Sequence, residues 1–103
     1  MIAAIVTFRY PEESFDPSRF VQKSRERRVA YEGLPGLILK IYWTAELGPE
    51  AGGIYLWDSM ERAQATYNEE WRRRAGQAFG VEPEIRYLAV SDTIQNLPIP
   101  PLP

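Results

Sequence analysis

Leu37-Ile38-Leu39-Lys40-Ile41-Tyr42-Trp43-Thr44-Ala45-Glu46, followed by Leu47-Gly48-Pro49-Glu50 and then Ala51-Gly52-Gly53-Ile54-Tyr55-Leu56-Trp57, is the stretch that decides the fold. Two runs rich in β-branched and aromatic residues flank a short segment containing Gly and Pro, which reads as two antiparallel strands joined by a turn. With four residues in the turn, Trp43 falls opposite Ile54 and Ile41 opposite Leu56. Leu37, Leu39, Ile41, Trp43, Ile54 and Leu56 then share one face, and Ile38, Lys40, Tyr42, Thr44, Tyr55 and Trp57 share the other.

A helix is expected on either side of this hairpin. On the N-terminal side, Asp16 before Pro17 supplies an N-cap and a favoured first helical residue, and Phe15 and Phe20 occupy the positions of a hydrophobic staple. That helix should run to about Tyr31 and stop at Gly33, with Pro35 and Gly36 preventing continuation. On the C-terminal side, Asp58 and Glu61 have capping-box spacing. Met60, Ala63, Tyr67, Trp71, Ala75 and Ala78 recur at intervals of three and four, predicting one helix to about Phe79, closed by Gly80. Arg72, Arg73 and Arg74 suit its C-terminal half.

Strands close the pattern at both ends. Ile2 to Tyr10 is β-like and ends at Pro11, and Glu84 to Asp92 supplies a fourth strand. Residues 1–92 thus form a single domain and residues 93–103 a proline-rich tail, extended and polyproline-like or without fixed structure. The class is α+β, a ferredoxin-like βαββαβ protomer with both helices on one face of the sheet. Both faces nevertheless carry apolar side chains: Ile2, Ala4, Val6 and Phe8 oppose Ala3 and Ile5, and Ile85, Tyr87 and Ala89 oppose Leu88 and Val90. An uncovered apolar face of this size calls for a partner, and the simplest is a second copy, giving a homodimer packed sheet against sheet.

Composition closes off much chemistry. The 103 residues include no cysteine and no histidine. That removes thiol nucleophiles, disulfides, imidazole acid-base catalysis and His-ligated metal. Twelve basic against fourteen acidic side chains give a formal charge of -2, without the basic excess that drives attachment to nucleic acid or anionic membrane. Acidic neighbours also dilute the clusters Arg25-Glu26-Arg27-Arg28 and Arg72-Arg73-Arg74. No nucleic-acid or membrane partner is expected. No apolar run is long enough to span a bilayer and the N-terminus lacks a basic flank, so a cytoplasmic location is expected by default.

Leu34-Pro35-Gly36-Leu37, Lys40, Trp43-Thr44 and above all Glu50-Ala51-Gly52-Gly53-Ile54-Tyr55-Leu56-Trp57 resemble the YdhR-like monooxygenase family of dimeric α/β-barrel proteins. The likeness extends through the second helix to Val90-Ser91-Asp92 and is weakest in the first helix. It implies a protomer whose sheet packs on a second sheet to form a dimeric α/β barrel. It also implies a pocket between helices and sheet, and oxygenation of a small aromatic or quinol-like substrate with no metal or organic cofactor. Haem breakdown in barrels of this class generally uses a histidine ligand, which this chain lacks. The different-class alternative is a non-catalytic dimer that binds a small hydrophobic molecule.

Candidate residues follow from side-chain chemistry. Tyr42, Tyr55 and Trp57, with Lys40 nearby, make an aromatic wall suited to a planar ligand, although cross-strand packing explains the same residues. Gly52-Gly53 either lets backbone approach a ligand or marks a bend, and it lacks the spacing of a phosphate cradle. Arg28, Tyr31, Asn68 and Trp71 are placed to face inward from the helices, unless the arginine is a solvated flank. In a metal-free oxygenation, Tyr31 or Glu32 would remove a phenolic proton and Arg28 or Asn68 would stabilise the oxyanion. Trp43, Trp57 or Trp71 would pack the ring.

Overall fold

The computed structural model describes residues 1–102, so Pro103 at the end of the tail lies outside the described residues. Strands β1 (Ile2–Arg9), β2 (Leu37–Thr44), β3 (Glu50–Trp57) and β4 (Glu84–Ala89) alternate with helices α1 (Pro17–Arg27), α2 (Met60–Thr66) and α3 (Glu69–Phe79). The strands form one antiparallel sheet in the order β2-β3-β1-β4. This is the α+β, ferredoxin-like arrangement expected from the order of elements.

Helix α1 starts where its local chemistry dictates. The Asp16 carboxylate accepts from the Arg19 amide at 3.2 Å, with Pro17 as the first helical residue. The helix ends at Arg27 and a 3-10 turn over Arg28–Ala30 carries the chain to Tyr31. The single second helix expected from periodicity is instead two. Tyr67 leaves helical geometry at ψ 50° and Asn68 caps α3, its side chain accepting from the Trp71 amide at 2.9 Å. A short polar side chain that satisfies backbone donors competes with continued helix, and here the cap wins. Helix α2 is capped by Ser59, one residue after Asp58.

The hairpin register differs by two residues from the expected one. Trp43 lies opposite Gly52, Ile41 opposite Ile54 and Leu39 opposite Leu56, because the four-residue turn sits one position earlier than expected, between Ala45 and Glu50, with the Ala45 amide donating to Glu50 O at 2.9 Å. A shift of two preserves side-chain facing. The exception is Leu37. A bulge between Leu37 and Leu39 pairs Leu37 with Trp57, turns it to the helical face, and leaves Ile38 56% exposed.

The core lies between the helices and one face of the sheet. Ala4, Val6, Phe8, Ala51, Tyr55 and Trp57 point into it and meet Phe20, Ala63, Tyr67, Trp71 and Ala75. Trp57 is fully buried and its Nε1 donates to Tyr67 Oη at 2.9 Å. Tyr67→Phe should leave that indole N–H without an acceptor, lowering stability by about 1–3 kcal/mol in urea denaturation. A change under roughly 0.5 kcal/mol would show the bond to be dispensable.

Among the described residues, no helix lies over the opposite face. It presents Ile5, Leu39, Ile41, Trp43, Ile54 and Leu56, and Ile41 and Ile54 are 41% and 38% exposed. Trp43 Nε1 is shut off from solvent there and has no hydrogen-bond partner among the described residues. No helix of the described residues is long and apolar enough to cross a membrane.

Candidate functional site

A cleft opens between the C-terminal part of α1, the face of α3 and strands β2 and β3. Its floor is strand: Lys40 and Tyr42 alternate inward along β2, and Gly53 and Tyr55 along β3. Helix α1 presents an inward line at spacings of four, three and four: Phe20, Ser24, Arg27 and, beyond the 3-10 turn, Tyr31. From α3 come Trp71, Ala75 and Phe79. The free space between these side chains is about 10 Å³, room for about one water, so a ring-sized ligand enters only if lining side chains move aside.

Aromatic rings define the walls. Tyr55 lies edge-on to Tyr31, centroids 5.7 Å apart, and edge-on to Tyr67 at 5.3 Å. Tyr31 Oη accepts from Trp71 Nε1 at 2.8 Å, which joins the end of α1 to α3 across the cleft. Phe20 and Phe79 close the inner end, centroids 4.9 Å apart.

The charged groups are two, and both are basic. Lys40 Nζ lies 3.2 Å from the Tyr31 ring centroid, 4.1 Å from that of Tyr42 and 4.4 Å from that of Tyr55, and it donates to Tyr42 Oη at 2.6 Å. The Arg27 guanidinium sits 5.6 Å from the centroid of Phe79. No carboxylate lines the cleft, and the ion pairs of the described residues include neither Lys40 nor Arg27. Burial, reinforced by the positive charge of Arg27, pushes the Lys40 ammonium down to about 6. The three ring faces act in the opposite direction, since each attracts the charged form. Burial also raises the Tyr42 and Tyr55 hydroxyls far above the usual phenol range, so neither is a tyrosinate near neutrality.

The sequence candidates divide accordingly. Tyr31, Tyr42, Tyr55 and Trp71 line the cleft. Trp57 lies beneath it, stacked on Tyr55 at 6.3 Å and 5°. Arg28 is one residue off the inward line, exposed and paired with Glu32 at 2.8 Å, which also occupies Glu32. Asn68 is an exposed cap whose amide donates to Ala65 O. Trp43 is on the uncovered face of the sheet. The inward position on α1 belongs to Arg27, in line with the buried Phe20 and Ser24. At the glycine pair, packing is decisive at Gly52, whose Cβ would fall 1.8 Å from Val6 O. Gly53 keeps the floor bare, since a Cβ there would press on Tyr55 Cε1 at 2.9 Å. Among the described residues, no three potential metal-ligating side chains are gathered together.

Solved structures match this fold over nearly the whole chain. A provisionally named antibiotic biosynthesis monooxygenase from Deinococcus radiodurans superposes with a TM-score of 0.68 at 12% identity, covering 95% of this chain and all of that one. SnoaB, a cofactor-independent oxygenase from Streptomyces nogalater, matches with a TM-score of 0.65 at 11% identity, over 90% of this chain and 95% of its own. The fold is that of the antibiotic biosynthesis monooxygenases. A third such structure, the monooxygenase from the gene ActVA-Orf6 of Streptomyces coelicolor in complex with Nanaomycin D, gives 0.62 at 14% identity, covering 93% and 92%. No family model matches the sequence, and no curated protein matches it. The resemblance therefore holds at the level of the monooxygenase fold, and at these identities it speaks of architecture alone.

Proposed function

We propose that this chain is a cofactor-independent monooxygenase of the YdhR-like type, acting in the cytoplasm as a homodimer on a small aromatic or quinol-like substrate. The observation that carries the reading is a cleft walled by tyrosine and tryptophan rings, holding two basic groups and no acid, within a fold that SnoaB, named a cofactor-independent oxygenase, also has. Rings on several sides suit a planar ligand. The overall conversion takes an anthrone-like substrate, whose ring already bears one oxygen opposite a CH2, and O2 to a quinone and water: both C–H bonds of that carbon break, one oxygen atom becomes the new carbonyl and the other leaves as water. Tyr31, Tyr42, Tyr55 and Trp71 hold the ring, and Trp57 supports Tyr55 from below. Arg28, Asn68 and Trp43 stand away from the cleft and carry no step of the proposal.

The test is oxygen uptake by the purified protein with anthrone-like and quinol substrates. Turnover should exceed spontaneous oxidation, and Trp71→Ala should cut kcat/KM at least about tenfold by removing a wall and the hydrogen bond that fixes Tyr31. No rate above background across such a panel would sink the catalytic reading. Saturable binding without oxygen uptake would make the chain a non-catalytic binding protein.

Dimerisation is supported by the uncovered face of β2, β3 and β1. Burying it against a second copy would remove at least about 1,200 Å² from water, forming the α/β barrel. Ile54→Glu places a charge at the middle of that face on a side chain 38% exposed in the protomer. Folding should survive, while light scattering at micromolar concentration should fall from dimer to monomer mass. A monomeric parent protein would overturn the barrel.

A further inference from the structure

We infer that the cleft, in the closed form described above, is a site for one small inorganic anion of halide size, held between the Arg27 guanidinium and Lys40 Nζ. This goes beyond the oxygenase reading and does not rest on it, since it concerns the cleft before any ring-sized ligand has moved the walls aside. The anion enters together with a proton, which Lys40 takes up from solvent, and nothing is oxidised.

Three observations converge on it. The first is size. The free space is about 10 Å³, room for about one water, and a halide is the common anion nearest to water in size. Sulfate and organic acids are several times larger. The second is charge. Arg27 and Lys40 both line the space and no carboxylate does, and neither takes part in an ion pair among the described residues. Arg27 keeps its charge at every pH in the working range. An anion between two like charges relieves their repulsion and gives each a counter-ion, which a water of the same size does not. The third is the balance of donors and acceptors. The acceptor oxygens are engaged: Tyr42 Oη accepts from Lys40 at 2.6 Å and Tyr31 Oη from Trp71 Nε1 at 2.8 Å. So are the negative ring faces, with Tyr31, Tyr42 and Tyr55 turned to Nζ and Phe79 to the guanidinium. What these two cations have left over are N–H donors, and they call for a ligand that only accepts.

The groups facing Nζ come from every element around it: Arg27 from α1, Tyr31 after it, Tyr42 from β2 and Tyr55 from β3, while α3 contributes the uncharged Trp71. Burial, with Arg27, brings the Lys40 amine down to about 6, whereas burial keeps Tyr42 and Tyr55 protonated. A bound halide favours the ammonium and raises the Lys40 value again. The sign of the pH dependence follows. Below about pH 6 the amine is already charged and affinity is level. Above that, each pH unit weakens the apparent affinity by up to about tenfold, until the amine loses its proton even with the anion bound.

The experiment titrates the intact protein with sodium chloride and sodium bromide, ionic strength being held constant with sodium sulfate. Excess broadening of the chloride NMR line reports binding, and a pH electrode in weakly buffered solution at pH 7 reports protons taken up. Saturable binding is expected, displaced by bromide and not by sulfate, with uptake approaching one proton per anion. Crystals grown in bromide should show an anomalous peak between Arg27 and Lys40. Lys40→Met should abolish the proton uptake and weaken binding at least about tenfold. Lys40→Arg, which stays charged, should still bind halide at pH 8 and take up no proton. Arg27→Gln should weaken binding at least about tenfold below pH 6 and move the pH step upward, since loss of its charge lets Lys40 hold its proton longer. Each variant is first shown folded by circular dichroism. Equal responses to chloride and sulfate, halide binding unchanged in both Lys40→Met and Arg27→Gln, or bromide peaks only elsewhere on the molecule would each overturn the inference. Oxygen uptake plays no part in the readout. A protein that binds halide here but oxidises nothing fails only as an oxygenase, and one that oxidises quinols without binding halide lacks only this site.

Discussion

Gly52→Ala should cost the protein roughly 3 kcal/mol of stability or more, near the upper end of what overpacking a close-packed interior produces. The Cβ of that alanine would fall 1.8 Å from Val6 O and 2.9 Å from Trp43 Cζ2. Val6 belongs to β1, which is paired on both sides, to β3 and to β4. Its carbonyl can retreat only by parting strands that hold the sheet together. Gly53→Ala is the internal comparison, because its nearest obstacle is Tyr55 Cε1 at 2.9 Å, a ring atom that must shift against Trp57 and Tyr67 but belongs to no strand backbone. Gly48→Ala adds no contact within 4 Å and meets only the strain of φ 93°, on the order of 1 kcal/mol. Urea denaturation should rank the three substitutions with Gly52 worst by a clear margin. Near-equal losses at all three would show that the approach of β3 to β1 is not as close as described.

Lys40→Met should make the protein more stable, by on the order of 5 kcal/mol at pH 6, with the gain fading as pH approaches 10. In the unfolded chain Lys40 holds its proton up to about 10.5, whereas in the fold it releases it at about 6. Between those values the unfolded state binds more protons, so stability of the parent protein rises with pH, by up to ~1.4 kcal/mol per unit. Below about 6 both states are charged, and the cost of burying the ammonium is constant. The tyrosines set the other limb. Burial raises Tyr10 to about 12 and Tyr42, Tyr55 and Tyr67 further, so above pH 10 the unfolded chain ionises where the fold resists and stability falls. Maximal stability should therefore lie between about pH 8 and 10. The aromatic cage around Nζ, by favouring the ammonium, raises the pH at which this rise begins and shrinks the total gain without reversing its sign. Chemical denaturation at four pH values, parent against variant, checks this; parallel curves would mean that Lys40 is charged in the fold throughout.

What could be read from the residues was what short-range chemistry controls. Asp16-Pro17 began a helix and Gly80, at φ 87°, ended one, because cap and turn chemistry act within a few residues. The alternation of β1 and β4 likewise showed which of their residues lie on opposite sides of the sheet, since successive side chains of a strand point to opposite faces. Features that depend on distant partners were not legible. Tyr67 and Asn68 fit a continuous helix by periodicity. The bond from Trp57 to Tyr67 and the Asn68 cap give those side chains partners at the break, and Trp57 lies on another element. Hairpin register slipped by two because the turn was placed from Gly and Pro alone, one residue later than the four residues that lie between Ala45 and Glu50.

The candidate site was half visible in the same way. Tyr42 and Tyr55 were recognisable as an aromatic wall, but which sheet face met the helices was not, and that choice moves Trp43 away and brings Lys40 in. Arg28 and Arg27 are indistinguishable by type. Only the buried positions Phe20 and Ser24 show that the helix turns Arg27 toward the sheet.

The three indoles of this chain sit in three separate surroundings. Trp57 is sealed in the interior and bonded to Tyr67, Trp71 borders the cleft and is bonded to Tyr31, and Trp43 belongs to the face no helix covers. Intrinsic fluorescence therefore contains three built-in reporters. Forms that retain a single tryptophan would follow melting of the core, occupation of the cleft and pairing of protomers as distinct optical signals, with no dye attached.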